Sequence, residues 1–196
     1  MRVGPDDILD FWFSDRARER WFASDAAFDA SVRRLFAPLC FDLDRAPSVD
    51  GHPWLDGPEG ALALIVACDQ FTRNVWRGTP MAFALDTKAR AAALHSLDSG
   101  YDWVFENEAR SLFYMPFMHA ESMEAQDLCV ALCETRLGEE VSTTRHARAH
   151  RDLIARFGRF PHRNAILGRE STPEESEFLR SGGYAPGAKR QAKTSS

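Results

Sequence analysis

Three stretches of the chain bring together side chains able to hold an anion and move a proton. The first is Asp69-Gln70-Phe71-Thr72-Arg73-Asn74, which follows nine uncharged residues, 60–68, without a break. In a continuing helix Asp69 and Arg73 are four apart, as are Gln70 and Asn74, so each pair stacks on adjacent turns. Residues 61–68 are all apolar, so this helix has no water-facing side and both pairs are expected to be at least partly buried. Burying an ion pair is costly unless hydrogen bonds satisfy the remaining donors and acceptors, so the surroundings must be polar too.

The second stretch places His119 and Glu121 just beyond Pro116, and the third reads Arg159-Phe160-Pro161-His162-Arg163-Asn164. A histidine beside a carboxylate is held in one tautomer and kept basic, which suits His119 or His162 to general base chemistry with Glu121 and Asp69 orienting them. The guanidinium fork of Arg73, Arg159 and Arg163 matches a carboxylate or phosphate, and Gln70 and Asn74 complete the hydrogen bonds. If Pro161 opens a short helix, the amides of His162, Arg163 and Asn164 point outward together as an anion cradle. The bland alternative is that these arginines cap carbonyls at neighbouring helix ends.

Other chemistries lack their signatures. No G-x-S-x-G, glycine-rich phosphate loop or dinucleotide fingerprint is present, so no cofactor is expected. His146 and His150 are one helical turn apart, a metal-binding spacing, but Arg145, Arg148 and Arg151 beside them oppose a dication, so no metal is expected either. Residues 145–169 hold seven arginines against one acid, Asp152. The chain has 21 Arg and 3 Lys in all, so its general composition already accounts for arginine being the cation there. A net charge of −5 argues against a surface that coats nucleic acid or anionic membrane, and nucleic-acid binding ranks last among the functional readings.

The elements that must position these groups are helices. Pro5 with Asp6 and Asp7 opens a short first helix, Ser14 and Ser24 cap the next two, and the third runs to about Asp44. Residues 45–57 form a loop, after which Pro58 and Glu59 open the central apolar helix. Further helical patterns cover residues 86–99, 106–114, 122–137 and 139–157, with Pro116 distorting the second and Gly158 stopping the last. Residues 159–169 are irregular, and Thr172-Pro173-Glu174-Glu175 is a capping box that starts a final helix to about Arg180. No segment alternates with period two. The expected fold is all-α, a single domain over residues 1–181, with antiparallel helices in a curved, tetratricopeptide-like array and a disordered tail at 182–196.

Residues 60–68 are about half of the ~20 needed to cross a bilayer, so no membrane span is expected. The start of the chain is acidic where an export signal would be basic, and Cys40, Cys68, Cys129 and Cys133 lie in apolar helical patterns as reduced core thiols, so a cytoplasmic protein is expected. The aromatic residues Phe11, Trp12, Phe13, Trp21 and Phe22 are read as core.

The chain resembles a family at three places. Asp69-Gln70-Phe71-Thr72-Arg73-Asn74, Tyr114-Met115-Pro116-Phe117-Met118-His119-Ala120-Glu121 and Arg156-Phe157-Gly158-Arg159-Phe160-Pro161-His162-Arg163-Asn164 are similar to the signature stretches of the bacterial DUF924 family, over residues 5–179. The resemblance implies a helical fold similar to tetratricopeptide-like superhelices and no established activity. Thr72 stands where the family usually has proline and Ala120 where it usually has serine, which leaves His119 and Glu121 as the working pair.

Two function classes follow. One is a polar pocket for a small anionic molecule, with acid–base, hydrolase-like chemistry by His119, His162, Glu121 and Asp69. The other is a tetratricopeptide-like scaffold for a protein partner, in which the same motifs lock helix junctions.

Overall fold

A computed structural model describes residues 3–21 and 23–183; Phe22 and most of the expected tail lie outside them. Among the described residues every regular element is helical. Helix α1 (Pro5–Trp12) buries Ile8 and Trp12, and its first turn is held by Asp7, whose carboxylate accepts from the Gly4 amide at 2.8 Å. The short α2 (Asp15–Arg18) is capped by Ser14 as expected, the hydroxyl accepting from Ala17 N–H at 3.3 Å. Helix α3 (Ala26–Arg45) starts one residue later than a Ser24 cap requires. Asp25 takes the cap instead, because its carboxylate reaches the amides of both Ala27 and Phe28, at 2.9 and 3.0 Å.

The central element is α4 (Pro58–Ile65), which continues into a π-helical stretch (Val66–Phe71) and then α5 (Thr72–Val75). All residues from 61 to 72 are buried, as the absence of a polar face requires. Gly60 lets the helix start against the backbone of Trp54, where a Cβ would fall 2.4 Å from the Trp54 carbonyl oxygen. The π stretch departs from a regular helix. It carries an extra residue per turn, and Thr72 Oγ1 supplies the Cys68 carbonyl with a donor at 3.0 Å.

Helix α6 (Asp86–Asp98) lays its small buried side chains Ala89, Ala92 and Ala93 towards α4. Helix α7 (Asn107–Met118) runs through Pro116 rather than ending near Tyr114, and residues 111–118 are buried throughout. Enclosure on all sides stabilises this turn despite the missing amide donor. Helix α8 (Met123–Arg136) begins at Ser122, α9 (Ser142–Phe157) ends at Gly158 with φ of 70°, and α10 (Pro173–Arg180) carries the expected Thr172–Glu175 capping box.

Helix α4 packs against α1, α6 and α7, α3 packs on the π stretch and α5, and α8 lies between α7 and α9. The main core gathers Trp12, Phe36, Phe71 and Phe113 with the aliphatic residues of α4, and Phe11, Phe13 and Trp21 pack against it. A satellite cluster of Leu153, Ile154 and Phe160 supports the C-terminal loop. The four cysteines are free and buried, and burial pushes the Cys40 thiol up to about 12. No helix among the described residues is long and apolar enough to cross a membrane.

Candidate functional site

The π stretch brings Asp69 into a fully enclosed position facing the end of α7. Its two carboxylate oxygens lie 2.8 and 2.9 Å from His119 Nδ1, and Gln70 Nε2 donates to the second oxygen at 2.5 Å. Arg73 adds an ion pair at 3.4 Å. Burial alone would raise the Asp69 pKa, but the charges of Arg73 and then His119, with hydrogen bonds from His119 and Gln70, bring it down to about 2. An ionised carboxylate can only accept, so the proton between the two groups sits on His119 Nδ1, which donates. His119 is the first residue past α7, where its amide still bonds the Met115 carbonyl at 2.9 Å.

Arg73 is held on every side. Its guanidinium donates to Asp69 O at 2.7 Å and to the two oxygens of Asp86, at 3.0 and 3.3 Å. Asp86 is the first residue of α6. Arg163 shares that carboxylate only at 3.8 Å, without a hydrogen bond, and its Nε has no partner. Its guanidinium carbon lies over two rings instead, 4.6 Å from the centre of Phe83 and 4.5 Å from that of Phe160. Burial first, and then the charge of Arg73, lower the Arg163 pKa to about 10, the mark of a cation short of counter-charge. Asn74 and Arg77 both bind Asp29, Asn74 at 2.8 Å and Arg77 at 2.5 and 2.9 Å.

These groups surround a cavity of about 340 Å³. Its polar wall consists of Gln70, Arg73, Asn74 and Arg77 from the central helix, His119, and His150, His162 and Arg163 from the C-terminal third. Trp21, Phe83, Met115 and Ile166 supply the apolar wall. No carboxylate lines this cavity among the described residues; Asp69, Asp86 and Asp29 stand behind the cations they bind. Burial keeps two of the histidines uncharged: His150, whose Nδ1 lies 2.8 Å from the His146 carbonyl, is lowered to about 3, and His162 to about 4. Arg163 adds to the lowering at His162, where Nδ1 is buried without a partner.

Of the residues singled out in the sequence, Asp69, Gln70, Arg73, Asn74, His119, His162 and Arg163 therefore meet around one cavity. Gln70 and Asn74 do not bond each other: Gln70 bonds Asp69 and Asn74 bonds Asp29, while Asp69 and Arg73 keep their four-residue pairing. Glu121 does not join His119. It accepts two bonds from Arg169, at 2.6 and 2.9 Å, and one from the Phe160 amide at 2.8 Å. Burial opposes its ionisation, but Arg169 and the Phe160 amide hold its pKa below the usual carboxylate range.

Arg159 and Asn164 also lie outside the cavity wall. Arg159 makes a two-pronged pair with Glu175 at 2.7 and 2.8 Å, and Asn164 bonds Ser171, Glu175 and Arg169. The expected anion cradle is closed, because Pro161–Arg163 forms a tight turn in which the Arg163 and Asn164 amides bond Phe160 O and Pro161 O at 3.0 Å each. Sequence reasoning missed Asp86, Phe83, Arg77 and Trp21, and weighed His150 only as a metal ligand. Among the described residues no group of three or more His, Cys, Asp or Glu side chains is placed to hold a metal ion.

Comparison with known proteins agrees with the resemblance of the three motifs. Residues 8–183 match the family described as bacterial protein of unknown function, DUF924. A solved structure of a protein of unknown function, ATU0120 from Agrobacterium tumefaciens, is 42% identical, with a TM-score of 0.83, covering 91% of this chain and 97% of that one. No curated protein matches the chain. A match over nearly the whole described length, carried by motifs that converge on one cavity, means that the chain belongs to the DUF924 family of bacterial proteins of unknown function.

Proposed function

We propose that the cavity binds a small anionic molecule and acts on it by acid–base, hydrolase-like chemistry. His119 donates its Nδ1 proton to Asp69 and exchanges a proton with the ligand at Nε2, Asp69 fixes its tautomer and orientation, and Gln70 steadies Asp69. Arg163 and Arg73 hold the anion, and His162 offers a second polar contact. The observation that carries this reading is the enclosed Asp69–His119 pair, 2.8 Å apart, at the edge of a cavity walled by cations without a carboxylate. A protein core needs no such arrangement for its own stability. The buried free thiols support a reducing, cytoplasmic setting.

The test is a thermal-shift screen against carboxylates, phosphorylated metabolites and nucleotides, on the wild type and on Arg163→Ala and His119→Gln. A ligand at 100 times its Kd adds about 2.7 kcal/mol of stability. An anion that stabilises the wild type and His119→Gln, but not Arg163→Ala, identifies the substrate class; turnover of that anion should then be lost in His119→Gln.

A second reading, a tetratricopeptide-like scaffold that takes a peptide partner in an exposed groove, draws on α6 to α9, where each helix packs on the next. Under it no small anion shifts the wild type, and Arg163→Ala leaves binding of every anion in the screen unchanged.

A further inference from the structure

Arg163 differs from the other cations of the cavity in how it is held. Arg73 gives two N–H bonds to Asp86, and Arg77 gives two to Asp29, whereas among the described residues no carboxylate hydrogen-bonds Arg163. Its guanidinium carbon lies over two rings, those of Phe83 and Phe160. The N–H bonds of a guanidinium lie in its own plane, so an acceptor meets it along an N–H edge. That geometry suits two oxygens lying side by side in one plane.

Charge narrows the choice. One under-compensated cation balances one negative charge, while a phosphate group brings about −1.5 to −2 at neutral pH. The remainder of the wall is apolar and partly flat, from Trp21, Phe83, Met115 and Ile166, and the volume of about 340 Å³ sits at the small end of ligand sites. On the anion-binding reading given above, we infer that the ligand is a small carboxylate monoanion with an apolar ring or chain as its body. Its carboxylate lies in the plane of Arg163, and its body rests on the apolar wall.

Isothermal titration calorimetry with benzoate, phenylacetate and cyclohexanecarboxylate, against neutral benzamide and inorganic phosphate, tests this. At least one carboxylate should bind the wild type, and at least tenfold more tightly than benzamide or phosphate. Arg163→Gln should weaken that carboxylate at least tenfold, and Arg163→Lys nearly as much, because lysine keeps the charge but lacks the planar edge. Circular dichroism checks that both variants are folded. Should they not fold, Ile166→Trp narrows the cavity without touching the guanidinium and should weaken the same carboxylate at least tenfold. Phosphate binding that depends on Arg163, with no carboxylate binding, overturns the carboxylate assignment and leaves the anion pocket standing. Equal binding of benzamide overturns recognition by charge. If no anion binds the folded wild type, the anion pocket itself falls.

Discussion

Arg163 and its neighbours in the arginine-rich stretch are the same residue type within 25 positions, residues 145–169, yet they are held in opposite ways. Arg148, Arg151, Arg156, Arg159 and Arg169 each end on a carboxylate from another part of the chain: Glu134, Asp127, Glu174, Glu175 and Glu121 respectively. Arg145 bonds the Glu140 carbonyl. Among the described residues Arg145 and Arg163 lack a hydrogen-bonded acid, and of these two Arg145 is exposed while Arg163 is buried with its guanidinium over two rings. The density of positive charge is therefore a poor guide to a site here, because acids on α8, α10 and the flanking loops answer it. The informative quantity is the cation left over after pairing.

The strongest way to sharpen the contrast is through two carboxylates that are equally enclosed, Asp69 at the cavity and Asp102 away from it, both 0% exposed. Asp102 is held by the Tyr114 hydroxyl at 2.6 Å and Arg136 at 2.7 Å. Removing one partner of a buried charge pair costs about 3–5 kcal/mol, so Asp69→Ala and Asp102→Ala should lose similar stability in urea unfolding. Only Asp69→Ala should also disturb ligand turnover, through His119.

Next in size is the paired arginine against the unpaired one. Arg169→Ala removes bonds to Glu121, Asn164 and the Phe160 carbonyl and should cost about 2–3 kcal/mol, the range for charged hydrogen bonds. Arg163→Gln should cost about 1 kcal/mol or less, since it breaks no hydrogen-bonded ion pair. The contrast breaks if Arg163→Gln proves the more destabilising of the two.

The histidines give a pH signature of comparable size. His150 and His162 are held down to about 3 and 4, so below about 6.5 the unfolded chain takes up protons that the folded one refuses. Stability should fall by about 2 kcal/mol between pH 7 and 5.5, at up to about 1.4 kcal/mol per pH unit for each histidine, and His150→Gln should flatten that slope in thermal melts. Asp69 acts at lower pH: its contribution is complete above about pH 4 and is lost as the pH drops towards about 2. The smallest effect belongs to the exposed pairs. Arg151→Ala, which removes a surface bridge to Asp127, should change stability by less than about 1 kcal/mol.

The features legible in the sequence were those written in local spacing. The sealed helix of residues 61–68, the Ser14 cap and the Thr172 capping box all follow from residue type and position. The convergence of Asp69, Arg73, His119 and Arg163 was readable only as three unusual polar stretches. What stayed hidden depended on long-range choices. Asp86 opens a helix, where an acid is ordinary, so nothing marks it as the acid shared by two arginines from distant segments. Glu121 is two residues from His119, but the chain turns between them and Arg169, 48 positions on, captures it. The π stretch has no composition that distinguishes it from a buried α-helix. Its cause lies in what surrounds it.

That stretch also sets how the cavity responds to changes in chain length. Each residue of a helix advances the following side chains by about 100° around its axis, so the extra residue within Val66–Phe71 acts as an angular offset for everything after it. Deleting Ala67 would let α4 run on as a regular helix, turning Gln70, Arg73 and Asn74 away from Met115, Asp86 and Asp29 without altering one of those side chains. The residue count between Gly60 and Arg73 thus places the cavity wall of this chain as firmly as the identity of any polar group in it.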